Sequence, residues 1–255
     1  LHGVLVLARL SPVAQHAHGA HALGIARDDG AAFAVGAEVL PRVEAERAGE
    51  ADGACAEPVP LRAVRLAAKL DFSIAPEAAT PILALGGLLA EVPPARLFDE
   101  ILKLFQSGHA VKSYELLQRY DLFRYLFPTT AELLAGPERG KIEAFLKEGL
   151  RTTDERVRSE KPVTPMFLFA ILLWPVIERR AAAIEAAGEG SIRALSIAAT
   201  EAVNAQQSYT SLPRRYGSPM VDTLVMQPRF LDQQGARAAR LLDHKLFRAA
   251  YDFLS

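Results

Sequence analysis

The sequence predicts an all-α protein built of many helices, preceded by an irregular or weakly β segment. Apolar residues recur at helical spacing from residue 58 onward, and Pro and Gly residues stand where the resulting helices should begin and end. Before residue 58 neither the helical nor the strand period persists, and the composition differs. The first lysine is Lys69, and four of the six histidines lie in the first 21 residues. We therefore expect three parts, residues 1–57, 58–128 and 129–255.

Composition excludes several classes of protein. The net charge of −1 excludes a global positive field that would attract nucleic acid, so any such attraction must be local. The single Cys55 excludes an internal disulfide framework and favours a cytoplasmic location. The apolar N-terminal run lacks a basic start, so we expect no signal peptide. The run MFLFAILLWPVI, which we expect Pro175 to break, is too short to span a membrane and indicates a buried helix.

The segment 1–57 has little pattern beyond one candidate strand over residues 4–10. Three histidines lie close together in it, and only Asp28 and Asp29 are near enough to assist them. Because metal sites normally need supporting Cys or carboxylate ligands on a fixed scaffold, we expect no metal site there. The three histidines are His16, His18 and His21.

The sequence pattern of residues 58–128 predicts three helices. The first carries three basic side chains within about 60° of one another, which form a positive stripe. The second begins at Pro93-Pro94 and ends near Gly108, and the third covers residues 111–120. The stripe of the first helix consists of Arg62, Arg65 and Lys69, and its apolar side consists of Ala63, Ala67 and Leu70.

Residues 129–255 predict further helices. Thr164 as N-cap and Pro165 as first residue should begin the most apolar of them. A separate charged helix should follow through Glu178 to Gly188, and another should run over residues 191–207. The members of the apolar run expected in the core are Met166, Phe167, Phe169, Leu172, Leu173 and Trp174.

Residues 58–128 contain the segments LRAVRLAAKLDFSI, PPARLFDEILKLFQSGHA and YDLFRYLFP. These segments resemble bacterial poly(A) polymerases, which are class II nucleotidyltransferases close to the CCA-adding enzymes. Near the C terminus, FRAAYDFL resembles the body of the same family. The resemblance covers residues 58–255. It implies that 58–128 is a helical neck that binds nucleotide and RNA, and that 129–255 is a helical body that binds RNA.

The resemblance also marks candidate nucleotide-binding residues. The family pattern E-D-P-x-R-M-L-R is altered here to Glu57-Pro58-Val59-Pro60-Leu61-Arg62, which keeps an acidic residue and the last arginine but lacks the middle arginine that reads the base. Arg62 and Arg65 are candidates for phosphate or base contact, with a solvated helix face as the equal alternative. Arg96 matches an arginine that braces the nucleotide site in the family. The alternative, which we favour, is an exposed ion pair with Glu100.

The last fifty residues are locally basic and contain interleaved aromatic residues, a combination that can follow an RNA backbone and stack on bases. The alternative is a helix surface of ordinary charge. With the resemblance added, RNA binding is the stronger interpretation. The candidate RNA-binding residues are Lys69 in the neck and Arg214, Arg215, Arg229, Arg237, Arg240 and Lys245 in the body.

The catalytic motifs of the family are not in this sequence. Its heads carry a G-G-x-x-R-D loop and a D-x-D pair on a strand that holds two metal ions, and neither occurs. We therefore expect no catalytic or metal-binding residue, and we interpret residues 1–57 as unassigned or out-of-frame sequence. The complete family enzyme would use ATP and Mg²⁺; this chain alone should use neither.

Three functions follow from these expectations. The first is the RNA-binding part of an adenylyltransferase that acts on RNA 3′ ends in RNA processing, with a CCA-adding body as its close variant. The second is a non-catalytic RNA binder, and the third is a helical scaffold. No membrane partner is expected, and the sequence does not give the oligomeric state.

Overall fold

The computed structural model describes residues 3–8, 22–27, 32–35, 58–74, 76–230 and 242–254. Two compact units are formed, residues 1–92 with 112–122 (unit 1) and residues 93–111 with 123–255 (unit 2). The domain boundaries at residues 57 and 128 stay predictions. Several residues singled out from the sequence lie outside the described residues: His16, His18, His21, Asp28, Asp29, Cys55, Glu57, Arg237 and Arg240.

Unit 1 contains a four-stranded sheet with the order β3-β2-β1-β4. Its strands are β1 (Gly3–Ala8), β2 (Ala22–Arg27), β3 (Ala32–Val35) and β4 (Phe72–Ile74). β2 is antiparallel to both β1 and β3, whereas β4 pairs in parallel with β1. The strand expected at residues 4–10 therefore exists over Gly3–Ala8. The expectation that residues 58–128 form helices alone is wrong at β4.

The helical part of unit 1 begins with α1 (Val59–Leu70), followed by α2 (Pro76–Leu85) and a 3-10 helix (Gly86–Glu91). Pro60 stands in the first turn of α1, and the helix ends because Asp71 adopts a left-handed conformation with φ of 57°. Ala63 and Ala67 are buried as predicted. Leu70, the last residue of α1, is 45% exposed, so its side chain is not buried with theirs.

Every secondary-structure element that the structure describes in unit 2 is a helix. Its elements are α3 (Pro94–Phe105), α5 (Phe123–Leu126), α6 (Pro128–Leu134), α7 (Arg139–Arg158), α8 (Pro165–Ala186), α9 (Ser191–Gln206), α10 (Arg214–Val225), a second 3-10 helix (Gln227–Phe230) and α11 (Phe247–Leu254). In the sequence, α4 (Ala110–Arg119) comes between α3 and α5, and its first two residues belong to unit 2 and the rest to unit 1. The helices predicted near residues 111–120 and 191–207 are confirmed.

Helix α8 is the centre of unit 2, and α6, α7, α9 and α10 pack against it. Residues 168–173 are all buried, because an apolar run longer than one turn can be hidden only by neighbours on every side. Thr164 is the N-cap, and its side chain accepts a hydrogen bond of 3.3 Å from the Phe167 backbone N–H. The predicted cap and first residue of this helix are therefore confirmed.

Three expectations about this helix are wrong. Pro175 does not break it, and the charged stretch from Glu178 belongs to the same helix, which runs to Ala186. Proline costs a helix one backbone hydrogen bond, and the packing of a buried helix can offset that loss. Trp174 is half-buried rather than fully buried, because its indole lies at the edge of the core beside Phe253, with 5.3 Å between ring centroids.

Helices α7 and α8 approach closely at Gly149. A Cβ atom at this position would lie 2.7 Å from Cγ2 of Ile171 and 3.0 Å from its Cγ1 and Cδ1. Ile171 is 2% exposed and β-branched, so its side chain has little freedom to move away. Gly149 therefore fixes the distance between the two helices.

We expect Gly149→Ala to lower the free energy of unfolding by about 1–3 kcal/mol, because the added methyl group overpacks the contact between α7 and α8. Urea unfolding followed by circular dichroism measures the change. Gly140→Ala on the same helix is the matched control, since nothing lies within 4 Å of a Cβ atom there. A Gly149→Ala variant as stable as the Gly140→Ala variant would contradict the packing described.

Candidate nucleic-acid interface

In unit 1, helix α1 presents the basic stripe predicted from the sequence. Arg62 and Lys69 are exposed, and Arg65 is half-buried. The next cation along this surface is already neutralised, because Lys112 forms an ion pair with Asp71, the residue that ends α1. Burial lowers the pKa of the Lys112 amine, and the nearby Glu115 opposes that shift. Arg62 and Lys69 are thus the cations of this stripe that face solvent.

In unit 2, Arg96 lies on α3 and is half-buried. Its Nη2 atom is buried and has no hydrogen-bond partner among the described residues. The exposed ion pair expected with Glu100 is not formed: Glu100 is 2% exposed, and its carboxylate pairs with Lys103 at 2.7 Å. The spacing of four residues allows the pair, but Glu100 points into the core. The role of Arg96 in nucleotide binding stays a prediction.

The segment that follows α3 is held by a buried carboxylate. Asp154, which is 3% exposed, accepts hydrogen bonds from the backbone N–H groups of Ala110 at 2.5 Å and Val111 at 3.1 Å. These donors begin α4, so Asp154 acts as a helix cap supplied from α7. Arg158 donates to the carbonyl of Gly108, which has a φ of 79°. Gly108 therefore marks the turn between α3 and α4 rather than the end of α3.

The three candidate RNA-binding arginines of unit 2 that lie in the described residues are exposed. Arg214 and Arg215 lie in the first turn of α10, and Arg229 lies on the second 3-10 helix. The guanidinium of Arg215 lies 4.9 Å from the ring centroid of Tyr216, which stacks on Phe98 at 6.1 Å. This packing orients Arg215, while Arg214 extends into solvent on the same turn.

A groove of about 760 Å³ in unit 2 contains Lys245 and several residues that the sequence did not single out. It is bounded by α7, by the segment that leads into α8, and by α11. Helix α7 ends at Arg158 and α11 begins only at Phe247, so no local spacing predicts their meeting. The sequence feature that could have indicated this groove is the amphipathic pattern of FRAAYDFL, which forms α11. The added groove residues include Phe145, Arg151, Arg156, Arg248 and Phe253.

The described residues contain no cluster of three or more His, Cys, Asp or Glu side chains that could hold a metal ion. None of the four strands carries an Asp or Glu, so the sheet lacks the strand-borne carboxylate pair that a nucleotidyltransferase head requires.

Among the described residues there is also no helix long and apolar enough to cross a membrane. The features described are those of a helical protein with local basic surfaces.

Comparison with known proteins defines the class. Residues 71–134 match a family model described as the probable RNA and SrmB-binding site of polymerase A, and residues 187–255 match the polymerase A arginine-rich C-terminus. Together the two models cover just over half of the chain.

Similar curated proteins agree with these matches. The chain is 39% identical over 196 residues to poly(A) polymerase I of Escherichia coli O6:H1 and 38% identical over 195 residues to that of Salmonella typhi, in each case over 76% of this chain and 42% of the relative. It is 36% identical over 196 residues to poly(A) polymerase I of Haemophilus influenzae. The chain belongs to the bacterial poly(A) polymerase family, and it spans less than half the length of these relatives.

We expect Asp154→Ala to lower the free energy of unfolding by about 2 kcal/mol or more, because the buried N–H of Ala110 and the partly buried N–H of Val111 lose their acceptor. Asp154→Asn, which keeps one acceptor oxygen, should lose less. Urea unfolding measures both changes. Glu155→Ala is the control on the same helix: its ion pair with Arg151 is exposed and should contribute at most about 1 kcal/mol. Equal losses for Asp154→Ala and Glu155→Ala would contradict the capping role.

Proposed function

We propose that this chain is the RNA-binding part of a polynucleotide adenylyltransferase. The single observation that carries the proposal is the match of residues 71–134 to the family model described as a probable RNA-binding site. Helix α1, directly before that match, carries exposed Arg62 and Lys69, and the C-terminal match contains exposed Arg214 and Arg215. Exposed cations at helical spacing are suited to contact the phosphates of single-stranded RNA.

The complete protein, in this proposal, adds AMP from ATP to RNA 3′ ends during mRNA processing in the cytoplasm. These relatives are poly(A) polymerases, which favours adenylate addition over CCA addition. Magnesium does not fit the described residues, which offer no group of three acidic or imidazole ligands, and we derive no step of nucleotide transfer from them. Arg65 and Arg96 are proposed to contact nucleotide, and Arg62 to contact nucleotide or an RNA phosphate. Lys69, Arg214, Arg215 and Arg229 are proposed to contact RNA.

We expect the chain to bind a single-stranded RNA with an affinity that falls steeply with salt, because each phosphate that a cation neutralises releases a counterion. The double variant Arg62→Ala with Lys69→Ala should bind more weakly and lower the slope of log affinity against log salt by about 1.4, or about 0.7 for each of the two phosphates no longer neutralised. Gel-shift titrations at several potassium chloride concentrations measure the slope.

The control for that experiment removes two cations that carboxylates already neutralise. Arg180 pairs with Glu201 at 2.7 Å and Arg193 pairs with Glu189 at 3.2 Å, both on exposed helix surfaces. The double variant Arg180→Ala with Arg193→Ala changes the net charge equally and should leave the slope unchanged. A salt slope unaltered by removal of Arg62 and Lys69, or altered as much by the control, would remove α1 from the RNA interface.

We expect this chain to incorporate no AMP into an RNA primer when supplied with ATP and Mg²⁺, because its sequence has neither a G-G-x-x-R-D loop nor a D-x-D pair. Primer extension with radiolabelled ATP measures incorporation. Binding of the same primer by gel shift is the control that the chain is folded. Extension of the primer by this chain would contradict the proposal that it carries only the RNA-binding part.

A further inference from the structure

A cleft of about 630 Å³ lies between α9 and α10 in unit 2. Gly217 of α10 is buried in it, and a Cβ atom there would lie 3.4 Å from Cγ1 of Val203 and 3.7 Å from Cδ2 of Leu212. Because Gly217 has no side chain, the apolar atoms of Val203 and Leu212 line the cleft. The cleft therefore has an apolar wall against which a planar ring can pack.

Four exposed polar residues also line this cleft, namely Asn204 of α9 and Arg214, Ser218 and Asp222 of α10. Within the part of the chain that the structure describes, none of these four side chains forms a hydrogen bond or an ion pair. Gln207 of the same cleft differs, because its Nε2 atom donates to the carbonyl of Leu212 at 2.8 Å. A ligand can therefore engage the four side chains without breaking a contact that the structure shows.

The two charged groups of the cleft lie at different levels of α10. Arg214 is in the first turn of the helix and Asp222 is in its last turn, so their backbones are separated by about 12 Å along the helix axis. Among the described lining residues, Arg214 is the one cation and Asp222 the one carboxylate. The cleft is thus suited to a ligand with an anionic group at one end and a hydrogen-bond donor at the other.

We propose that this cleft binds one adenylate unit of an RNA strand. Arg214 pairs with the phosphate, Val203 and Leu212 pack against the purine ring, and Asp222 accepts a hydrogen bond from the exocyclic amino group. A carboxylate accepts hydrogen bonds and cannot donate them, so it favours adenine over uracil, which has no amino group. This adenylate site rests on the proposed function, in which the RNA strand that the chain binds carries adenylate at its 3′ end.

The test compares two fluorescein-labelled strands of about eight nucleotides, a length within the usual range of single-strand sites. One is oligo(A), and the other is built of purine riboside, which is adenosine without its amino group. The two strands have the same phosphates and ring system, so a difference in affinity reports on the amino group. Fluorescence anisotropy measures binding to the full chain. We expect oligo(A) to bind at least about fivefold more tightly, because the purine riboside strand offers Asp222 no donor.

Two variants test the location. Asp222→Ala removes the acceptor and Ser218→Leu fills the cleft, so each should bring the affinities for the two strands to within about twofold. Glu185→Ala is the control for charge, because it removes an exposed carboxylate of α8 outside the cleft. Ala205→Leu is the control for size, at an exposed position of α9 outside the cleft, and both controls should keep the preference for oligo(A). Circular dichroism checks the fold, and if Ser218→Leu fails to fold, Asp222→Ala decides alone.

Three results would overturn the adenylate site. Equal affinity of the unaltered chain for the two strands would remove it and leave the proposed function intact. A preference for oligo(A) that Asp222→Ala leaves unchanged would also remove it, because another part of the chain would then recognise the amino group. No binding of either strand would overturn both the adenylate site and the proposed function.

Discussion

Burial of helix α8 is the constraint on which the structure of unit 2 depends. Its residues 168–173 are apolar on every side, so the helix needs neighbours around its whole circumference. Helices α6, α7, α9 and α10 meet that requirement. Gly149 sets how closely α7 can approach, and Thr130 of α6 donates a buried hydrogen bond of 2.8 Å to the carbonyl of Leu172. The positions of the surface cations follow from this packing.

The cations of this chain fall into two physical classes. Some are matched by carboxylates on the same surface: Arg151, Arg180 and Arg193 each pair with glutamate. The hydrogen bond from Arg180 to Glu201 raises the pKa of Arg180, and the same contact lowers the pKa of Glu201. Paired charges of this kind attract phosphate weakly, because their field is cancelled at short range. Arg62, Lys69 and Arg214 are exposed, and this difference is why a chain of net charge −1 can still present local positive surfaces.

Local sequence signals predicted the elements whose cause is local. Examples are the start of α3 at a proline, the start of α8 at the Thr164 cap, and the helical spacing of apolar residues in α9. Each depends on residues a few positions apart. The failures have tertiary causes: α8 continues through Pro175 because its neighbours hold it, and β4 forms because β1 is available as a partner. Glu100 is buried rather than paired with Arg96 because the packing around α3 overrides the helical spacing. The groove of unit 2 could not be predicted, since its residues meet only after α7, α8 and α11 have packed.

The central claim is that RNA contacts the exposed basic turns of α1 and α10. The most direct measurement is photocrosslinking of the chain to single-stranded RNA that contains 4-thiouridine, followed by mass spectrometry of the crosslinked peptides. The account predicts adducts on peptides that contain Arg62 or Lys69, or Arg214 or Arg215. Adducts confined to the paired surface of α8 and α9 around Arg180 and Arg193, or no adducts at all, would contradict it.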